Sequence, residues 1–210
     1  LDDSRWPVKS CDAGELTRLT GTAKHQGIAA RVTAAVMLDE AEARQRVQAL
    51  DDCLLLVLDG VQDPRNFGAC LRTADAAGVD LVVVGRSRNV GITPVVSKVA
   101  AGATETQPVA SVGNLARFLG WLGEAGVFVA GLAGEATDSL YSADLRGPLA
   151  LVLGAEARGL RRLTRERCSA LFRLPMIGGV ESLNVSVAAG VSLYEARRQR
   201  GWLARSAGLG

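Results

Sequence analysis

From Cys53 onward the chain alternates short, almost wholly aliphatic runs with longer amphipathic stretches, and this alternation limits its fold more than any other feature. The clearest runs are Cys53–Leu58, Asp80–Val84, Val127–Leu132 and Leu149–Leu153, with weaker ones at Gln107–Ala110 and Leu171–Leu174. They are too short for helices and too continuously apolar for half-solvated strands, so they read as strands buried on both faces. Between them the pattern predicts helices over Ala69–Ala77, ended by Gly78, and over Thr93–Ala101. A third spans Val112–Glu124, with Leu115, Phe118, Leu119 and Leu122 on one face and Ser111 as its N-cap. The last, Asn184–Arg200, has small residues early and arginines late, which suits the helix dipole. Strand–helix alternation predicts an α/β fold, a parallel sheet with helices on both faces. Ligands in such sheets bind beyond the carboxyl ends of the strands. The chemistry is therefore expected in the loops after Leu58, Leu132, Leu153 and Leu174.

The first fifty residues differ. Residues 1–38 mix turn residues, charges and short apolar stretches, and Asp39–Leu50 is a charged, alanine-rich helix or helical linker. A boundary is expected near Asp51, with one domain over residues 51–203 and a flexible tail over 204–210. The chain begins at Leu1 rather than Met, so further residues are expected before it. No apolar run reaches the roughly 18 residues of a membrane span, and no signal peptide is visible. A cytoplasmic protein without a membrane partner is expected.

Composition excludes several chemistries. Four scattered cysteines without a C-x-x-C pair, and a single histidine, His25, argue against a zinc site, a disulfide framework and a histidine base. No metal is expected. Aromatics at 4% cannot build a stacking platform for single strands. A net charge of +2 leaves nucleic-acid binding to local patches. Two arginine groups stand out, Arg158, Arg161, Arg162, Arg165 and Arg167, then Arg197, Arg198 and Arg200. Taken alone they are solvated helix faces. Beside a site the first group becomes a set of phosphate contacts.

The four loops each combine glycine with a polar group. Asp59–Arg72 (DGVQDPRNFGACLR) holds a turn signal at Asp63-Pro64, with Asn66 as a possible cap and Arg72 on the following helix. Gly131–Glu135 (GLAGE) lets a ligand approach the backbone. Gly154–Gly159 (GAEARG) is neither a P-loop nor a G-x-G-x-x-G turn, and carries Glu156 at a strand end. Leu174–Asn184 (LPMIGGVESLN) places Ser182 and Asn184 at a helix start, where one of them caps.

Three segments together carry a resemblance. Pro64–Val79, Leu149–Leu160 and Leu174–Ala196 resemble, in order and spacing, the three motifs of the SpoU (TrmH) family of RNA ribose 2′-O-methyltransferases. Arg161–Cys168, Ser111–Arg117 and His25–Val32 resemble the branch of that family that methylates a guanosine ribose of 23S rRNA. The resemblance implies a C-terminal trefoil knot, S-adenosylmethionine as methyl donor and a homodimer through the knotted region. It implies 23S rRNA as partner, and no DNA. Residues 1–50 would be a remnant of an N-terminal RNA-binding domain plus linker. Carried over by position, Arg72, Asn66, Glu156, Ser182 and Asn184 would be catalytic. Leu132, Ala133, Gly134, Gly154, Leu174, Met176 or Ile177, and Leu183 would hold the donor through backbone and apolar contacts. Arginine is normally always charged, so Arg72 reads either as an assisted base or as a group that binds phosphate and stabilises an alkoxide. Ala157-Arg158 departs from the glycine and acid usual after the glutamate, which leaves that loop's role open. A transfer-RNA ribose methyltransferase and a non-catalytic RNA-binding or assembly protein are the alternatives.

Overall fold

The computed structural model describes residues 7–30, 36–87, 89–155 and 158–201, in two compact units, Leu1–Ala34 and Ala35–Gly210. In the first unit, α1 (Ala13–Thr20) starts where Asp12 accepts from the Glu15 amide at 2.7 Å and stops at Gly21 with φ of 67°. His25 Nδ1 accepts from the Gly27 amide at 3.0 Å, so the only histidine caps a local turn.

The second unit opens with α2 (Glu40–Gln48), then β1 (Leu54–Asp59), α3 (Pro64–Ala76), β2 (Leu81–Gly85), α4 (Pro94–Ala100) and α5 (Ala103–Thr106). It continues with β3 (Val109–Val112), α6 (Leu115–Glu124), β4 (Phe128–Leu132), a 3-10 turn at Leu140–Ser142 and β5 (Leu149–Gly154). It closes with α7 (Arg162–Arg165), β6 (Ala170–Phe172) and α8 (Val185–Arg200). The six strands form one parallel sheet in the order β3-β2-β1-β5-β4-β6.

The aliphatic runs are strands buried on both faces, as expected. Leu54, Leu56 and Leu58 of β1 enter a core with Phe67, Leu71 and Ala74 of α3 and Ala189 and Leu193 of α8. Leu55 and Val57 enter the opposite core with Phe118, Leu119 and Leu122 of α6. Period two thus sends alternate side chains into two separate cores, and no position on β1 can be polar until its last.

Four local expectations need correction. Asp63, not Asn66, caps α3, accepting from the amides of Arg65 and Asn66 at 2.7 and 2.9 Å. With Pro64 at the first turn, the helix starts five residues before Ala69. Ser111 and Val112 belong to β3, paired with β2, and Asn114 caps α6 instead. Before β1, Ala43 and Val47 of α2 are buried in the α6-side core and Leu38 bonds β3. The late arginines of α8 are not all a solvated face. Arg197 donates to the carbonyls of Ala77 and Gly78 at the end of α3, and Arg200 to those of Gly147 and Asp52.

The connection between β4 and β5, residues 133–148, is held from two sides. Arg173, just past β6, donates its amide to Asp138 O at 2.8 Å and accepts from the Leu140 amide at 2.9 Å. Gln199 of α8 donates to Ala143 O at 3.1 Å and accepts from the Leu145 amide at 2.9 Å.

Candidate active site

Three of the four expected loops converge on one cavity of about 140 Å³ at the carboxyl ends of β4 and β5. Leu132, Ala133 and Gly134 line it from the β4 loop, Gly154 from β5, and Leu174, Met176, Ser182 and Leu183 from the loop before α8. Ile177 does not: it is fully exposed, so of the pair Met176 and Ile177 only Met176 faces the cavity. Leu153, Ala155, Gly159, Glu181, Val185 and Ala188 also line it and were not anticipated. Most are neighbours of anticipated residues that only the folded loops bring inward. Glu181 did carry a signal, as the sole charge in LPMIGGVESLN.

The walls are mainly aliphatic side chains and exposed backbone. A Cβ added at Gly134 or Gly159 would meet nothing within 4 Å, so the space beside the backbone is open there. Gly154 differs, since a Cβ at that position would overlap the backbone of Gly159 and Leu160. The turn between Ala155 and Gly159 folds back on the strand end, with the Gly159 amide donating to Ala155 O at 2.8 Å. Glu156 lies outside the described residues.

Two further site residues meet directly. Asn184 caps α8, its Oδ1 accepting from the Ser186 amide at 2.9 Å and hydroxyl at 2.6 Å. Its Nδ2 donates to Asn66 Oδ1 at 2.9 Å, which ties the first turns of α3 and α8 together. Of the pair Ser182 and Asn184, the cap is therefore Asn184, and Ser182 is left to face the cavity. Arg72 stands on the exposed side of α3 and is not part of the cavity wall.

The first arginine group is largely engaged. Arg161 lies against buried Asp59, Arg162 pairs with Glu166 at 2.5 Å, and Arg165 pairs with Glu135. Burial pushes the nearby Cys168 thiol up to about 11, so it is no nucleophile at neutral pH. Among the described residues, no cluster of three or more His, Cys, Asp or Glu could hold a metal, and no helix is long and apolar enough to cross a membrane.

The sequence pattern of the SpoU rRNA methylase family matches residues 53–194, which span β1 through most of α8 and include every wall of the cavity. The chain belongs to the SpoU rRNA methylase family. Within it, the chain is 56% identical over 177 residues to the 23S rRNA (guanosine-2′-O-)-methyltransferase RlmB of Shewanella oneidensis, covering 84% of this chain and 72% of that one. It is 56% identical over 194 residues to the RlmB of Xylella fastidiosa strain Temecula1, covering 92% and 78%. Among solved structures, the SpoU methyltransferase AviRb of Streptomyces viridochromogenes, in complex with the cofactor AdoMet, matches with a TM-score of 0.68 at 26% identity, over 74% of this chain and 63% of that one. The parallel α/β architecture is thus that of SpoU methyltransferases.

Proposed function

We propose that this chain transfers a methyl group from S-adenosylmethionine to the ribose 2′-hydroxyl of a guanosine in 23S rRNA. The observation that carries the reading is the convergence of the β4, β5 and pre-α8 loops on one cavity, in a SpoU-family chain 56% identical to RlmB enzymes.

The cavity suits such a donor. Leu132, Leu153, Leu174, Met176 and Leu183 offer apolar walls for a purine, and the open space beside Gly134 and Gly159 lets its edges approach the backbone. The Glu181 carboxylate adds a negative group where a cationic donor would lie. When bound, S-adenosylmethionine would supply an electrophilic methyl on a sulfonium for the ribose oxygen. Orientation and charge stabilisation remain for the protein. In our reading Arg72 binds substrate phosphate and offsets the charge developing on the ribose oxygen. Asn66 and Asn184 hold the α3–α8 junction that sets its place, Ser182 completes the polar side of the pocket, and Glu156 stays a catalytic candidate through the family resemblance.

The reading extends to the whole chain. A trefoil knot is supported by the 133–148 connection, which contacts both the end of β6 and the late turns of α8. A homodimer is supported by Val187 and Tyr194, seven residues apart on α8 and 50% and 46% exposed. Residues 1–50 would be the remnant of an N-terminal RNA-binding domain plus linker, in a cytoplasmic enzyme.

The test is transfer of labelled methyl to unmodified 23S RNA by the intact protein and by Arg72→Ala. Label on one guanosine 2′-oxygen, reduced by about a hundredfold or more in kcat in the variant, is expected. Donor binding without label on 23S RNA would move the substrate to transfer RNA. Absence of both would overturn the reading.

A further inference from the structure

We propose that Asp59 and Arg161 form a positioning pair that holds Gly159 and Leu160 against the end of β5 and thereby shapes the donor-binding wall of the cavity. The inference rests on the donor-pocket reading above.

Asp59 ends β1, and at 1% exposure it is one of the few charged residues buried in the sheet. Its Oδ2 accepts from the Arg161 amide at 2.9 Å, and its Oδ1 lies 3.4 Å from Arg161 Nε. Oδ1 has no hydrogen-bond partner among the described residues, so the guanidinium is what answers its charge. A buried carboxylate without its cation is strongly unfavourable, which fixes where Arg161 must sit. The side chain crosses Gly60, whose φ of 81° and missing Cβ keep the path clear: a Cβ there would stand 2.9 Å from Nη2.

Arg161 stands two residues after Gly159, which bridges to Ala155, and both Ala155 and Gly159 line the cavity. The turn presses on Gly154 so closely that a Cβ there would overlap it. One end of the turn continues β5. The other is held by Asp59 through both backbone and side chain of Arg161. Arg165, one helical turn on, pairs with Glu135, the residue after cavity-lining Gly134. Two arginines of one segment therefore brace two of the three cavity loops. Two arginines that in sequence suggest phosphate contacts are instead paired with carboxylates beside the donor pocket.

The test compares Arg161→Ala, Arg161→Lys and wild type by calorimetric titration with S-adenosylhomocysteine, separate KM values for donor and RNA, and thermal melting. Arg161→Ala is expected to weaken S-adenosylhomocysteine binding by about tenfold or more, with the RNA KM changed by less than about twofold. Arg161→Lys keeps the charge but loses the planar fork, and should recover part of the loss. If Arg161→Ala does not fold, the double variant Asp59→Asn with Arg161→Gln leaves no buried ion and reads the same quantities. S-adenosylhomocysteine affinity within about twofold of wild type in a folded variant overturns the proposal. So does a rise in RNA KM alone, which would make Arg161 an RNA contact. A wild-type protein that binds no S-adenosylhomocysteine overturns the donor-pocket reading as well.

Discussion

Asn184 serves two partners with one amide. Its oxygen caps α8 and its nitrogen reaches Asn66, so the two functions can be separated by mutation. Asn184→Ala should cost about 1 kcal/mol for the lost cap, with a further loosening of the α3–α8 junction. Asn184→Asp keeps the cap and loses the donor. It should stay near wild type in urea midpoint while methyl transfer falls, and equal loss of stability in both variants would refute this division. Gly154 is constrained for a different reason. Because a Cβ there overlaps the backbone of Gly159, Gly154→Ala must displace the turn. We expect S-adenosylhomocysteine affinity to fall by about tenfold or more, with the circular-dichroism spectrum unchanged. Unaltered affinity would mean that the turn does not form the donor wall.

α8 collects the tertiary connections of the C-terminal half. Its first turn meets α3 through Asn66, and its last turn meets Asp52, just before β1, and the 133–148 connection through Arg200. Between them Glu195, 8% exposed, takes both Nε and Nη2 of Arg198 at 2.8 Å and Gln199 Nε2 at 2.8 Å. The Arg198 guanidinium beside Glu195 holds its carboxyl below the usual carboxylate range, with burial acting the other way. A depressed folded value means the stabilisation is present above the ordinary carboxylate pKa and is lost as pH falls through the folded one. Melting temperature should therefore drop on acidification below about pH 4.5, and part of that drop should be missing in Glu195→Gln. An identical acid limb in the variant would show that Glu195 does not contribute to it. Because Arg198 is well exposed, solvent screening keeps the pair's contribution small.

The molecule as a whole has little free charge to attract RNA. Its net charge is +2, and several arginines serve the fold: Arg161 at Asp59, Arg165 at Glu135, Arg197 and Arg200 at strand and helix ends. A second copy of the chain would double what surface charge remains and cover the outward apolar residues of α8. Light scattering of this chain should accordingly give about twice 21.9 kDa. Replacing Val187 and Tyr194 with charged residues should shift it toward one copy. A single-copy mass for the unaltered chain would refute the homodimer.

Much of this protein is legible in its amino-acid sequence alone. Alternating aliphatic runs are a consequence of strands packed on both faces, so the strands, their parallel arrangement and the end of the sheet that carries the site all follow from local pattern. The motif residues lie in consecutive stretches, and the family follows from them. What pattern leaves open is what depends on distance in space. Asp63 rather than Asn66 as cap, and Asn114 rather than Ser111, are decided by competition between nearby polar groups and by the pairing of β3 with β2. The order of the strands, the return of α8 to α3, and the meeting of Asn66 with Asn184 across 118 positions have no periodic signal at all. Neither has the inward turn of Arg161, set 102 positions away by Asp59, because a buried charge finds its counter-ion through the packed fold and not along the chain.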